Sequence, residues 1–196
     1  LVSYPKFDKP NVPPPEKDGT QKEGDYECVA IFNEKTRELD KKYNSQNAWT
    51  MEMMEQLMGE ITKKINGDFT PSNWKIPIKD GREKANSKDA AVYEGGKFMR
   101  LHNKQKFICL DINKQMLDVA DKTKCYGGMY GRAIITVKSY NFNNGMGVGI
   151  SSFIDAFQKV EDGEPLGGGG INAIEAFDDL SNVAEAVSSE DLTSLL

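Results

Sequence analysis

The chain has 196 residues, 38% of them hydrophobic and 28% charged, with a formal net charge of −5. That composition fits one compact domain with extended ends, and no apolar run approaches the roughly 20 residues of a membrane span. A single histidine, His102, and three widely spaced cysteines, Cys28, Cys109 and Cys125, argue against a metal centre and against a disulfide framework, and point to a reducing compartment, the cytoplasm.

Leu1 to Pro15 shows no basic segment followed by an apolar core, so no secretory leader is expected. Residues 1–24 carry five prolines, and only Val2–Phe7 reads as a strand there, with the rest an exposed connection. Asp25–Phe32 is rich in β-formers and bounded by polar residues, which predicts a strand. Ala48–Asn66 is the one main helix. Met54, Leu57, Met58, Ile61 and Ile65 recur at spacings of three and four, giving one apolar face for packing, and Asn66-Gly67 supplies the stop. Phe69–Asp89 reads as an irregular connection around Pro71 and Pro77.

Four further strands are expected at Val92–Leu101, Lys106–Ile112, Met129–Tyr140 and Met146–Val160, the last ending somewhat early. Many short strands, Gly/Asn turns and one helix imply a mainly β fold, best fitted by a five-stranded, partly open OB-fold-like barrel. The domain is expected over 1–164. From Pro165 onward a Gly167–Gly170 hinge leads into an acidic C-terminal tail, in which Ile171–Val187 has weak helical character and disorder is an equal expectation.

Charge is divided along the chain. All 25 Lys and Arg lie at or before Lys159, against 21 of the 30 acids, a balance of +4; the remaining nine acids follow it. A basic body with an acidic tail is the layout of a polyanion-binding protein that carries its own competitor.

The segment 129–140 gives that reading a surface. Alternation puts Tyr130, Arg132, Ile134, Thr136, Lys138 and Tyr140 on one face, and the smaller set Met129, Gly131, Ala133, Ile135, Val137 and Ser139 toward the core. Rings on which bases stack, interleaved with cations that neutralise phosphates, are what a single-stranded nucleic acid needs. Phe98, Arg100 and His102 alternate in the same way with Lys97, Met99 and Leu101, followed by Lys104 and Lys106. In Lys106–Ile112, Ile108, Leu110 and Ile112 read as inward and Phe107 as outward. Each aromatic taken alone is adequately explained by core packing; the set, interleaved with bases, supports binding.

Gly145-Met-Gly-Val-Gly149 is truncated and precedes β-branched residues rather than a helix, which excludes a dinucleotide site. These glycines, with Gly127-Gly128 and Gly131, read as barrel bends or points of close backbone approach. No nucleophile elbow or phosphate-binding Lys motif is present, so neither catalysis nor a cofactor or metal is expected.

Several segments then occur in a telling order: Ser3-Tyr4, Tyr26–Phe32, Gly96–Leu101, Tyr126-Gly-Gly-Met-Tyr-Gly-Arg-Ala133, Tyr140 with Gly147-Val-Gly149, and Asp162-Gly-Glu-Pro-Leu-Gly167. Over residues 3–168 the chain resembles a family of phage and prophage single-stranded-DNA-binding proteins, first catalogued as a domain of unknown function. The resemblance implies an OB-fold that coats single-stranded DNA during replication or recombination without catalysis, in a bacterial host cytoplasm, and places Tyr126, Tyr130 and Arg132 in or near the binding region. With the alternation above, the candidate DNA-binding residues are Phe98, Arg100, Lys104, Lys106, Phe107, Tyr126, Tyr130, Arg132, Lys138 and Tyr140. The tail, spanning about 30 Å as a flexible chain, is long enough to reach the basic groove. Its tip, Asp191-Leu-Thr-Ser-Leu-Leu196, also suits docking on replication or recombination proteins. Two other readings stay open: a protein-interaction module without nucleic-acid binding, and a metal-dependent DNA-processing enzyme using Asp178 and Asp179. Oligomeric state is not legible.

Overall fold

A computed structural model describes residues 1–43, 50–142 and 147–166. In chain order the elements are β1 (Val2–Asn11), β2 (Asp25–Phe32), α1 (Glu34–Tyr43), α2 (Met51–Asn66), β3 (Trp74–Lys75), β4 (Ile78–Asp80), α3 (Ala90–Tyr93), β5 (Lys97–Asn103), β6 (Ile108–Leu110), β7 (Tyr130–Phe142) and β8 (Gly147–Glu161). The five long strands form a nearly closed barrel. β1, β2 and β5 pair antiparallel in turn, β5 meets β8 in parallel through His102 and Phe153, and β8 pairs antiparallel with the whole of β7. Closure comes from the residues just before β7: the Val2 amide donates to the Met129 carbonyl at 3.0 Å and the Gly128 amide to the Val2 carbonyl at 2.8 Å. Counted along the chain, the long strands run 1-2-3-5-4 around the barrel, in keeping with the expected OB-fold-like architecture.

The interior is filled by Phe7, Cys28, Met99, Leu101, Met129, Ile150, Ile154 and Phe157, and α2 lays Met51, Met54 and Met58 on the same core. The helix starts where the Thr50 hydroxyl accepts the Met53 amide at 3.3 Å, and ends at Gly67, whose φ of +62° is cheap for a residue without Cβ. Ile65, at the far end of the expected stripe, is 49% exposed, so the buried face covers only the earlier turns. Thr62 and Trp74 tie the helix to β3, the indole donating to the Thr62 hydroxyl at 3.0 Å.

Several sequence expectations need correction. β1 is not confined to Val2–Phe7 but runs to Asn11 through Pro5 and Pro10; it tolerates them because its pairing with β2 shifts register twice in that stretch, and prolines fit at such irregularities. α1 was not expected at all. It has no buried residue, so it offers no apolar period to read, and its visible signal is the reciprocal cap between Asn33 and Thr36, at 2.8 and 3.2 Å. Phe69–Asp89 contains two short strands, and the expected strand at Val92–Leu101 is divided into α3 and β5 at Gly95-Gly96. β8 does not end early but runs to Glu161.

Lys106–Ile112 has the opposite phase from that expected. Cys109 is buried and Phe107 packs on the core, while Ile108 and Ile112 are 57% and 52% exposed. Ala133, expected toward the core, is exposed, whereas Ile135 and Val137 do pack inward. The Gly167–Gly170 hinge, the acidic tail with its helical segment and the expected first residues of α2 lie outside the described residues.

Candidate nucleic-acid interface

β7 presents Arg132, Ile134, Thr136, Lys138 and Tyr140 on one outward face, as alternation requires. The extra residues of the β7–β8 ladder fall on β8, where Asp155 sits between the partners of Ile134 and Ile135, so β7 keeps its period. Arg132 is exposed and reaches Gln158 Oε1 at 2.8 Å and the Tyr43 carbonyl at 3.4 Å. Lys138 is exposed, its Nζ 5.6 Å from the ring centroid of Phe153 on β8. Among the described residues neither base is in an ion pair. Tyr140 is half-buried at the far end of this face.

Tyr126 and Tyr130 do something different. The Tyr126 hydroxyl donates to Asp162 Oδ1 at 2.7 Å and accepts the Gly163 amide at 3.2 Å, while the Leu166 amide donates to the Gly127 carbonyl at 2.7 Å. A Cβ on Gly128, already at a φ of +113°, would lie 1.9 Å from the Glu164 carbonyl oxygen, and one on Gly163 would lie 2.6 Å from the Tyr130 ring. The segments 126–131 and 162–166 therefore clasp each other, and their glycines are there for close approach. Tyr130 is 6% exposed beneath this clasp, with the Lys35 ammonium 5.1 Å from its ring centroid. It offers no open ring face, contrary to the expectation for it.

Burial, then the bond to Asp162, pushes the Tyr126 phenol up to about 12. Its protonated form is the one the fold favours. Its contribution to stability is therefore complete below the ordinary value of 10 and is lost as pH rises through about 12. A base titration followed by phenolate absorbance is expected to show a late-ionising component that Tyr126→Phe removes, beside those of Tyr4 and Tyr93, which are also raised. An unchanged curve in that variant would contradict the clasp.

The remaining candidates separate. Phe98 is 6% exposed in a second, small core with Ile31 and Tyr93, its ring edge-on to Tyr93 at 5.4 Å. Phe107 packs edge-on to Phe7 at 5.1 Å. Phe98 exposes no stacking face, and Phe107 is partly buried against the core. Arg100 lies on the outer face of β5 but is paired with Glu27 and, at 3.1 Å, with Asp25; Lys104 reaches Asp25 at 3.0 Å. The Asp25 carboxyl is held below its usual value by these cations, against the opposing effect of burial. Lys106 is exposed in the turn after β5.

Sequence reasoning missed Phe153. It is partly exposed, centred on the outer face between Thr136 of β7 and His102 of β5, its ring 4.9 Å from the imidazole. His102 Nε2 lies 3.0 Å from Ser151 Oγ, and burial, then Arg100, keeps the imidazole more easily neutral than usual. Ile150-Ser-Ser-Phe-Ile154 reads equally well in either phase, because the inward Ser152 looks like a surface residue. That serine is 1% exposed and donates to the Arg100 carbonyl at 2.7 Å.

A family model described as Enterobacter phage Enc34, ssDNA-binding protein matches residues 17–190. The chain belongs to this family. Protein p50 of Acyrthosiphon pisum secondary endosymbiont phage 1 is 33% identical over 123 residues, a match spanning 63% of this chain and 62% of that relative. Among solved structures, a C-terminal truncation of the bacteriophage Enc34 single-stranded-DNA-binding protein is similar, with a TM-score of 0.58 and 24% identity, covering 84% of this chain and 83% of that one. The same phage protein in complex with single-stranded DNA gives a TM-score of 0.57 at 24% identity, covering 85% of each chain. These structural likenesses agree with the barrel described above. The segments 126–133 and 162–167, among those that carry the sequence resemblance, include the residues of the clasp, where close approach of the backbone excludes a Cβ at Gly128 and Gly163.

Proposed function

We propose that this chain is a non-catalytic single-stranded-DNA-binding protein that coats and protects the strand during phage replication or recombination, largely without regard to sequence, in the host cytoplasm. The observation that carries this reading is the family match over residues 17–190, a family described by single-stranded-DNA binding. The open face of β7 supports it chemically: Arg132 and Lys138 are available for phosphates, and sequence-neutral binding needs cations and ring or apolar surfaces rather than hydrogen-bonding to base edges. Lys106, Tyr126 and Tyr140 serve as auxiliary positions. No helix among the described residues is long and apolar enough to cross a membrane. No group of three or more His, Cys, Asp or Glu among them is placed to hold a metal.

The acidic tail competes with DNA for the basic face and offers its tip to replication or recombination proteins. Residues 171–196 carry six acids and no base. With a tethered effective concentration of order 1 mM, even a tail segment of ~0.1 mM intrinsic affinity masks the face about tenfold. Titrating labelled poly-dT across a salt series, with duplex of equal length as competitor, tests both claims. Tight, salt-sensitive binding poorly competed by duplex is expected, tightening about tenfold at low salt when 171–196 are deleted. Absence of binding with and without the tail sinks the function; unchanged binding after deletion sinks the competitor.

A further inference from the structure

The face between barrel strands two and three is the usual seat of oligonucleotides on this architecture, but here β2 and β5 are poorly suited to it. One end is roofed: Ile31 and Phe98 are covered by Tyr93 of α3, with Leu1, Val92 and Leu166 around them. At the other end each cation already has an anion. Arg100 is held by Asp25 and Glu27 and Lys104 by Asp25, the two carboxylate side chains only 19% and 15% exposed. A phosphate entering there must displace partly buried carboxylates and leave them without partners, which costs more than the new pair returns.

One sheet column away the situation reverses. Ala156 on β8 is paired on one side with Ile134 of β7 and on the other with Ile108 of β6. Laterally paired residues point to the same face. Ile134 and Ile108 are 67% and 57% exposed, so the three form an uncovered apolar row across three strands. The next row toward the start of β8 is Thr136, Phe153 and His102, with the Phe153 ring steadied by the imidazole at 4.9 Å. The rows are flanked along β7 by Arg132 and Lys138, and Asp155, at the bulge of β8, accepts the Thr136 hydroxyl at 2.6 Å. An apolar strip bordered by two cations that no carboxylate among the described residues pairs is complementary to a chain of bases with phosphates along one side.

We infer that the nucleobases of the bound strand run over the β8-centred strip of Phe153, Ala156, Ile134 and Ile108, with Arg132 and Lys138 on the phosphates, rather than over β2 and β5. Phe153 is the stacking platform. Lys138 leaves the ring face when a base arrives and follows the adjacent phosphate, a short move for a four-carbon stem. Ile134 and Ile108 give the neighbouring base apolar contact without hydrogen-bond readout, which suits binding indifferent to sequence. This assignment rests on the function proposed above.

Two measurements on the full chain test it. Phe153→Ala is expected to weaken poly-dT binding about tenfold while leaving the salt slope unchanged, because stacking releases no counterions. Irradiating the unaltered chain bound to an oligonucleotide carrying 5-iododeoxyuridine is expected to give adducts on the β8 peptide containing Phe153, an outcome independent of how any variant folds. Wild-type affinity in Phe153→Ala, or adducts confined to β2 and β5 around Tyr26, would overturn the track and leave the function standing. An unaltered chain that binds no single strand would overturn the function itself, and the track with it.

Discussion

Phe157→Ala lowers the unfolding free energy by about 3–5 kcal/mol, read as a shift of the urea midpoint at unchanged slope. Phe157 is 3% exposed and its ring lies 5.1 Å from that of Phe7, which in turn lies 5.1 Å from Phe107. One side chain thus joins β8 to β1 and to the turn before β6 through the middle of the barrel. Domains have only about 5–15 kcal/mol in total, so the variant sits close to unfolding. Gly131 gives the control. A Cβ there would lie 2.2 Å from Phe157 Cζ and 2.8 Å from the Gln158 carbonyl oxygen, so Gly131→Ala overpacks the wild-type core and loses the worse of the two clashes once the ring is gone. In a double-mutant cycle the two changes are expected to cost less together than their sum; simple additivity would mean the ring and the glycine do not meet.

Arg132→Ala with Lys138→Ala is expected to reduce the salt slope of single-strand binding by about 1.4, since each phosphate neutralised on a single strand contributes about 0.7. At 0.1 M salt that slope corresponds to about 25-fold weaker binding. Arg100→Ala with Lys104→Ala removes the same formal charge but is expected to change the slope little, because those cations are already matched by Asp25 and Glu27. The comparison separates charge that is present from charge that is available. Equal losses in the two double variants would show that the carboxylates release their partners to DNA freely.

The difference between those two pairs was invisible along the chain. Arg100 and Arg132 look alike in sequence, each in a β-segment beside aromatic residues. Only the antiparallel register of β2 on β5, which sets Glu27 opposite His102 and Val29 opposite Arg100, brings the acids of one strand onto the bases of the other. The aromatics divide for the same reason. Phe98 and Tyr130 are buried by α3 and by the returning segment 162–166, and Phe107 is partly buried by β1, all remote in sequence or unrecognised as elements. Phe153 was overlooked because a buried serine hid the phase of β8.

What the residues determined locally, the chain shows on inspection: the outward face of β7 from its period of two, the Met face of α2 from its period of three and four, the mainly β class from the density of strands and turns, and the unequal division of charge. Each depends on neighbours within a few positions, where backbone geometry alone decides which side chains share a face. Tertiary structure decided which of those faces stayed open. Covering a ring, matching a cation with a carboxylate or fitting Gly128 against Glu164 requires segments from distant parts of the chain to meet at ångström distances, and no local pattern encodes that meeting.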